Sequence, residues 1–235
     1  MSMLVAAAFS VPAAQARVVV GEECPGERAL GGPGLAYAAS AEGRVLARTS
    51  PRGEAVRTFG RVNQNGARTV FGVVSVVLAP SCEPLGYHVQ LPIRPNGSSA
   101  FVRLAAVRLH PVRTRIDIDL SRHRLTLFRD GKQVLTTTAG IGADGTPTPT
   151  GVYYVNQRLR PDDPSGSFGP GAIGVSAFSP TLTDWAQGGP VAIHGTNDPS
   201  SVGRSASHGC IRVQNPVLRV LYRAVLPGTP VVIRA

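Results

Sequence analysis

The chain has 235 residues, 43% of them hydrophobic, with 27 Gly and 20 Pro. That length holds two small domains or one large all-β one, and so much Gly and Pro argues against long helices and for short strands with many turns. The formal charge is +10, and Lys132 is the single Lys. Residues 17–112 carry 11 Arg against 6 acids, and residues 113–235 carry 13 basic against 8 acidic groups, so each part is +5. A nucleic-acid binder shows clustered Lys and Arg with interleaved aromatics. No such run occurs, so nucleic acid is not an expected partner. Spread charge fits a general attraction to an anionic matrix.

Residues 1–16 are apolar and rich in small side chains, and end in Ala14-Gln-Ala16. They read as a signal peptide cut after Ala16, although no Lys or Arg precedes the apolar run. The segment is short for a membrane span, and an uncleaved anchor is the alternative. Residues 17–112 read as a small β domain. Arg44–Arg48, Thr69–Leu78, Tyr87–Leu91 and Ala100–Leu104 have strand character, punctuated by Gly66, Pro80, Pro92, Pro95 and Gly97. The layout from Leu91 to Gly97, followed by a short strand, resembles the end of a bacterial SH3-like module. Cys24 and Cys82 are expected to pair in an exported protein, since a small domain gains most from a cross-link. Three free thiols, as in a cytosolic protein, is the competing expectation.

Residues 113–235 open with Arg115-Ile-Asp-Ile-Asp-Leu120, whose alternation puts Ile116, Ile118 and Leu120 on one face. Leu125–Phe128 and Gln133–Thr136 flank Asp130-Gly131, a strong two-residue hairpin signal. Gly140-Ile-Gly142 and a turn-rich link, Thr146–Gly151, lead to the strand Val152–Val155. Residues 156–170 read as a polar loop of the length used for lids and binding loops. Tyr153, Tyr154 and Phe168 are candidates for substrate contact or, more simply, for packing. Gly171–Phe178 returns to the sheet, and Trp185 is expected near the rim of a site. Asn215-Pro216 reads as a helix start, with Asn as N-cap and Pro in the first turn. Val217, Leu218, Leu221, Ala224 and Val225 make an apolar stripe at helical spacing. Thr229–Arg234 is a last strand that closes the sheet.

The chemistry concentrates between Pro190 and Asn215. Pro190-Val-Ala-Ile reads as a buried strand ending at His194, and twelve residues separate His194 from Ser207-His-Gly-Cys210. A nucleophilic thiol needs a base, an orienting group for that base, and N–H donors where an oxyanion forms. Gly209 lets the chain bend so that successive N–H groups point one way. His194, at the strand end, is the candidate base that would give Cys210 a thiolate of low pKa, and His208, inside the bend, a candidate to brace it; each could instead be a structural histidine. Competing readings are a buried structural Cys and a zinc site from His194, His208 and Cys210, which lacks a fourth protein ligand nearby.

Ile193-His-Gly-Thr196 followed by Ser207-His-Gly-Cys-Ile-Arg212 resembles the active-site signature of L,D-transpeptidases with a YkuD-type catalytic domain, which remodel bacterial peptidoglycan. The resemblance spans roughly residues 113–235, and Thr146–Gly151 resembles that family's Thr-Pro-x-Gly element. It implies a mainly β protein: a small SH3-like β module, then a β-rich catalytic domain with one helix after the motif. It implies Cys210 as acyl-accepting nucleophile, His194 as base, and the N–H groups of His208, Gly209 and Cys210 as oxyanion hole. Arg212, Ser207, Gly195 and Thr196 are expected along the substrate, with Arg212 near a carboxylate. The expected partners are peptidoglycan stem peptides and carbapenem-type inhibitors. No metal or organic cofactor is expected, and the expected location is secreted or in the cell envelope. Water as acceptor would make the enzyme an L,D-carboxypeptidase. The rival from another class is a non-catalytic wall-binding protein of the same fold.

Overall fold

The computed structural model describes residues 26–235. The signal segment and Cys24 lie outside the described residues. Cys82 is disulfide-bonded and Cys210 is free. Among the described residues no helix is long and apolar enough to cross a membrane.

The architecture is mainly β. The first sheet is built from β1 (Gly26–Ala29), β2 (Ala36–Ala41), β3 (Val45–Arg48), β4 (Ala55–Phe59), β5 (Val70–Leu78), β6 (Pro84–Gln90), β7 (Ser99–Arg103) and β8 (Val107–Val112). Its order is β4-β3-β7-β6-β5-β2-β8, with β1 added on β5. Sequence reading anticipates only β3, β5, β6 and β7. The missed strands are Ala-rich, exposed or, like β8, interrupted by Pro111, and they gain their identity from a partner. A sheet of eight strands is larger than the four expected, and nothing here shows the SH3-like likeness.

The second sheet takes β9 (Thr114–Asp119), β10 (Arg124–Arg129), β11 (Lys132–Thr138), β13 (Gly151–Leu159), β14 (Ala172–Phe178), β15 (Pro190–His194), β17 (Ile211–Arg212) and β18 (Pro230–Arg234), in the order β11-β10-β9-β18-β13-β14-β15-β17. A parallel pair, β12 (Ile141–Gly142) and β16 (Ser205–Ser207), stands apart. In β9, Ile116 and Ile118 are fully buried while Asp117 and Asp119 lie on the outer face, as alternation requires. Asp130 and Gly131 both take positive φ, +50° and +76°, the turn that suits the twist of a two-residue hairpin. The last strand, β18, is central rather than closing: it lies parallel to β9 and antiparallel to β13.

β13 runs to Leu159, so the loop that follows it is shorter than residues 156–170. The alternation of Val155, Gln157 and Leu159 against β14 carries the ladder into a segment that reads as polar by composition. The single helix, α1 (Asn215–Ala224), buries Leu218 and Leu221 and packs Val217 and Ala224 on the same core, with Val225 just beyond it. Its N-cap is Gln214, which makes no capping hydrogen bond. Asn215 is not the cap, because its amide is committed to a neighbouring loop.

The sheets meet where β5 faces β13. A Cβ on Gly72 would fall 2.9 Å from Cδ1 of Tyr154, so a glycine lets that fully buried ring lie on the strand. Asn63 donates to Gln157 Oε1 (2.8 Å), and Gln90 to the Val152 carbonyl (2.5 Å). The first sheet also reaches the loop after β14. Asn96 donates to the Phe178 carbonyl (2.8 Å) and accepts its N–H (2.9 Å), while Arg94 donates to the carbonyls of Ser179 (2.6 Å) and Gly188 (2.8 Å).

Candidate active site

β15 positions His194. Val191 and Ile193 enter the core, so alternation sends Ala192 and His194 to the other face. The short parallel strand β17 registers Ile193 with Ile211 and His194 with Arg212. Cys210 immediately precedes β17, where the Ala192 backbone favours its thiolate. Two residues of β15, Ala192 and His194, thus face Cys210 and Arg212.

His194 is 5% exposed, and its Nδ1 lies 2.5 Å from the Gly195 carbonyl oxygen. A carbonyl only accepts, which assigns the proton to Nδ1 and leaves the Nε2 lone pair as the basic atom. The Phe168 ring covers the imidazole at 4.7 Å between centroids. Burial depresses the His194 pKa from 6.5 to about 4, the Gly195 bond opposes this, and the Arg212 charge adds to it. Burial pushes the Cys210 thiol up, with the Ala192 bond and Arg212 opposing. Burial therefore favours the uncharged form of each group. Burial works against the low-pKa thiolate expected from sequence, while the Arg212 charge works for it.

The turn before β17 is internally braced. Ser207 is 3% exposed, and its hydroxyl donates to the Cys210 carbonyl (2.6 Å) while accepting the Gly209 N–H (3.1 Å). Gly209 has φ +106°, a conformation L side chains rarely adopt. Thr148 Oγ1 donates to the Gly209 carbonyl (3.0 Å), and Thr146 Oγ1 to that of Ser207 (3.0 Å). The link Thr146–Gly151 thus supports the turn from below. Because its N–H is engaged with Ser207, Gly209 is not a free oxyanion donor in this arrangement.

His208 is exposed, whereas His194 is buried and Cys210 partly buried. It stacks on Trp185 at 5.1 Å, and Trp185, 52% exposed, forms the rim of the site. Among the described residues no three His, Cys, Asp or Glu side chains are grouped to hold a metal. Gly195 and Thr196 are buried with Ser207. The Thr196 hydroxyl donates to the Asp198 carbonyl (3.1 Å) and accepts the Asp198 N–H (2.9 Å). The hydroxyls of Thr196 and Ser207 thus hold their loops.

Arg212 is half-buried, and its Nε is enclosed without a hydrogen-bond partner. Its charge acts on His194, Cys210 and Asp198 together. A model of the L,D-transpeptidase catalytic domain (YkuD) matches residues 113–233, about half of the chain.

The chain belongs to the YkuD L,D-transpeptidase family.

A protein named "Putative L,D-transpeptidase YkuD" from Bacillus subtilis (strain 168) is 35% identical over 118 residues, 50% of this chain and 64% of that protein. Its namesake in Bacillus licheniformis is 34% identical over 117 residues, 50% of this chain and 63% of that protein. The chain thus spans just under two thirds of these YkuD relatives. Among solved structures, the catalytic domain of the Enterococcus faecium L,D-transpeptidase is 28% identical. That match covers 52% of this chain and 96% of that one, with a TM-score of 0.38.

Sequence reading missed Asn215, Thr146 and Thr148 as site supports, and Arg94 and Asn96 as props of the rim loop. Nothing local marks them: Asn before Pro fits an N-cap equally well, and loop-to-loop contacts have no sequence period.

Proposed function

We propose that this chain is a cysteine-dependent peptidoglycan L,D-transpeptidase acting outside the cytoplasm. The register of β15 and β17, which brings His194, Cys210 and Arg212 to one face, carries the reading. The donor is a tetrapeptide stem. As Cys210 Sγ attacks the carbonyl between the third residue and the terminal D-Ala, its proton passes to His194 Nε2. The N–H groups of His208 and Cys210 face the oxyanion, joined by Gly209 if its bond to Ser207 opens. Collapse of the intermediate breaks the C–N bond, and the proton on Nε2 goes to the leaving D-Ala amine. An acceptor amine then attacks the thioester, loses a proton to His194, and leaves Cys210 as the thiol.

An uncharged pair, which burial favours, suits this cycle. The thiol is shielded until a substrate carbonyl is in place, and proton transfer accompanies attack. The enclosed, unpartnered Nε of Arg212 supports a role for its guanidinium in holding a donor carboxylate. Trp185 and His208 on one side and Phe168 on the other supply an apolar rim for the stem. Carbapenems would acylate the same sulfur.

The test is mass spectrometry of the full chain incubated with purified stem tetrapeptide, with and without an amine acceptor. The expected result is an acyl adduct on the Cys210 peptide, free D-Ala and a cross-linked product. Release of D-Ala with no cross-link makes water the acceptor. Absence of any adduct, with the stem still bound, makes the chain a wall-binding protein.

A further inference from the structure

The peptide unit between Gly195 and Thr196 is held at both ends. Its carbonyl oxygen accepts the His194 Nδ1 proton at 2.5 Å. Its N–H donates to Asn215 Oδ1 at 2.8 Å. Asn215 Nδ2 donates in turn to the Thr196 carbonyl at 3.0 Å. The assignment of oxygen and nitrogen in the Asn215 amide follows, because the backbone N–H only donates and the backbone carbonyl only accepts. The fit is close: Cβ atoms on Gly195 and Gly169 would lie 2.2 and 2.3 Å from Asn215 Oδ1. Two glycines therefore admit this amide, and Gly169 follows Phe168, the residue lying over the His194 ring.

We propose that Asn215 is a positioning residue for His194, its amide holding the Gly195–Thr196 peptide group whose carbonyl orients the imidazole. The inference rests on the reading of His194 as base.

Two effects follow from the contacts. The peptide group is planar, so fixing its N–H and the next carbonyl fixes the direction of the Gly195 carbonyl. That direction fixes the imidazole plane and keeps the proton on Nδ1. Hydrogen bonds in a chain also polarise one another. A donor N–H engaged by Asn215 makes the Gly195 oxygen a stronger acceptor, which favours the imidazolium that forms when His194 takes the thiol proton. A buried carboxylate would hold the proton more strongly, yet would also carry a charge into a dehydrated site. A backed carbonyl achieves orientation without that charge. Asn215 stands at the start of α1, which is why its side chain is not used as a cap there.

The test compares Asn215→Leu with Asn215→Asp in the full chain, by three measurements: the low-field proton resonance of His194 Nδ1–H, Cys210 acylation by a stem tetrapeptide, and the melting temperature. Leu has similar volume and no polar atom. Asp keeps an acceptor for the Thr196 N–H but sets its second oxygen against the Thr196 carbonyl, which lowers stability. Partners that fix a metal-bound imidazole matter by about 10–100-fold, and we expect a fall of about 10-fold in kcat for Leu with KM unchanged. The Nδ1–H resonance should move upfield or vanish in Leu and persist in Asp. Asp should acylate nearly as the unmodified chain does, despite a lower melting temperature. If acylation follows melting temperature across the two variants, or if the resonance is unmoved in Leu, the proposal is wrong. If His194→Gln itself leaves acylation unchanged, the catalytic reading fails instead, and the resonance still decides whether Asn215 orients the ring.

Discussion

His194 and Arg212 are direct partners across the parallel strands β15 and β17. A guanidinium beside an imidazole disfavours the imidazolium, so Arg212 helps burial to keep His194 neutral. The same charge opposes the upward shift of the Cys210 thiol. One cation therefore eases loss of the Cys210 proton and makes His194 a weaker acceptor of a proton.

Removing that cation should show both effects. In Arg212→Ala the thiol should ionise at still higher pH and the imidazole at higher pH than about 4. Donor KM should rise by about 10-fold or more, as expected for loss of a charge-assisted pair. Alkylation of Cys210 against pH and donor kinetics measure these separately. Unchanged donor kinetics with a lowered melting temperature would assign Arg212 a structural role only.

The two histidines should separate cleanly. His194→Gln removes the proposed general base and should slow Cys210 acylation by about 10²–10⁴-fold. His208→Gln removes an exposed ring stacked on Trp185 and should have a far smaller effect on acylation. The reverse order of effects would exchange their roles.

His194 also links stability to acidity. Its folded pKa, about 4, lies below the ordinary 6.5. Between those values the unfolded chain binds a proton that the folded chain does not, so stability falls as pH falls from 6.5 to about 4. Each pH unit is worth about 1.4 kcal/mol, which makes the loss about 3 kcal/mol. Urea unfolding at pH 7 and below pH 4 should show that share of the loss vanish in His194→Gln. Equal pH dependence in both chains would contradict the burial of a neutral imidazole.

The rim loop should depend on the first sheet. Asn96 and Arg94 hold the backbone of Phe178, Ser179 and Gly188, and Trp185 lies within the segment they hold. Trp185 is the only Trp in the chain, so its fluorescence reports the loop directly. The double variant Arg94→Ala, Asn96→Ala should expose Trp185 to acrylamide quenching and raise donor KM. Cys210 alkylation should stay unchanged. Unaltered quenching would show that the loop holds itself.

The thiol count should be one. Cys82 is disulfide-bonded and Cys210 free, and we propose Cys24 as the partner of Cys82. Titration of denatured, unreduced exported protein measures it. A count of three defeats the pairing.

Much of this molecule is legible in the sequence, for local reasons. Strands with strict alternation, such as Arg115–Leu120, announce their buried face, because period two leaves one arrangement that removes the apolar side chains from water. Asp130-Gly131 announces its turn, because two successive positive φ angles suit few residue pairs. His194 and Ser207–Cys210 announce chemistry, because a thiol next to a bend and a histidine at a strand end have few other uses together. The tertiary structure alone decided the rest. Whether Cys210 rests as thiol or thiolate depends on how much water the packed strands exclude, which no spacing reveals. The Ser207 and Thr196 hydroxyls are committed to the backbone groups of their own loops, which must be satisfied once buried. Asn215 left the helix cap for the Thr196 backbone, and Arg94 and Asn96 reached a loop more than eighty residues away. Those contacts exist only once both sheets are folded, and they determine where His194 and the Trp185 loop stand.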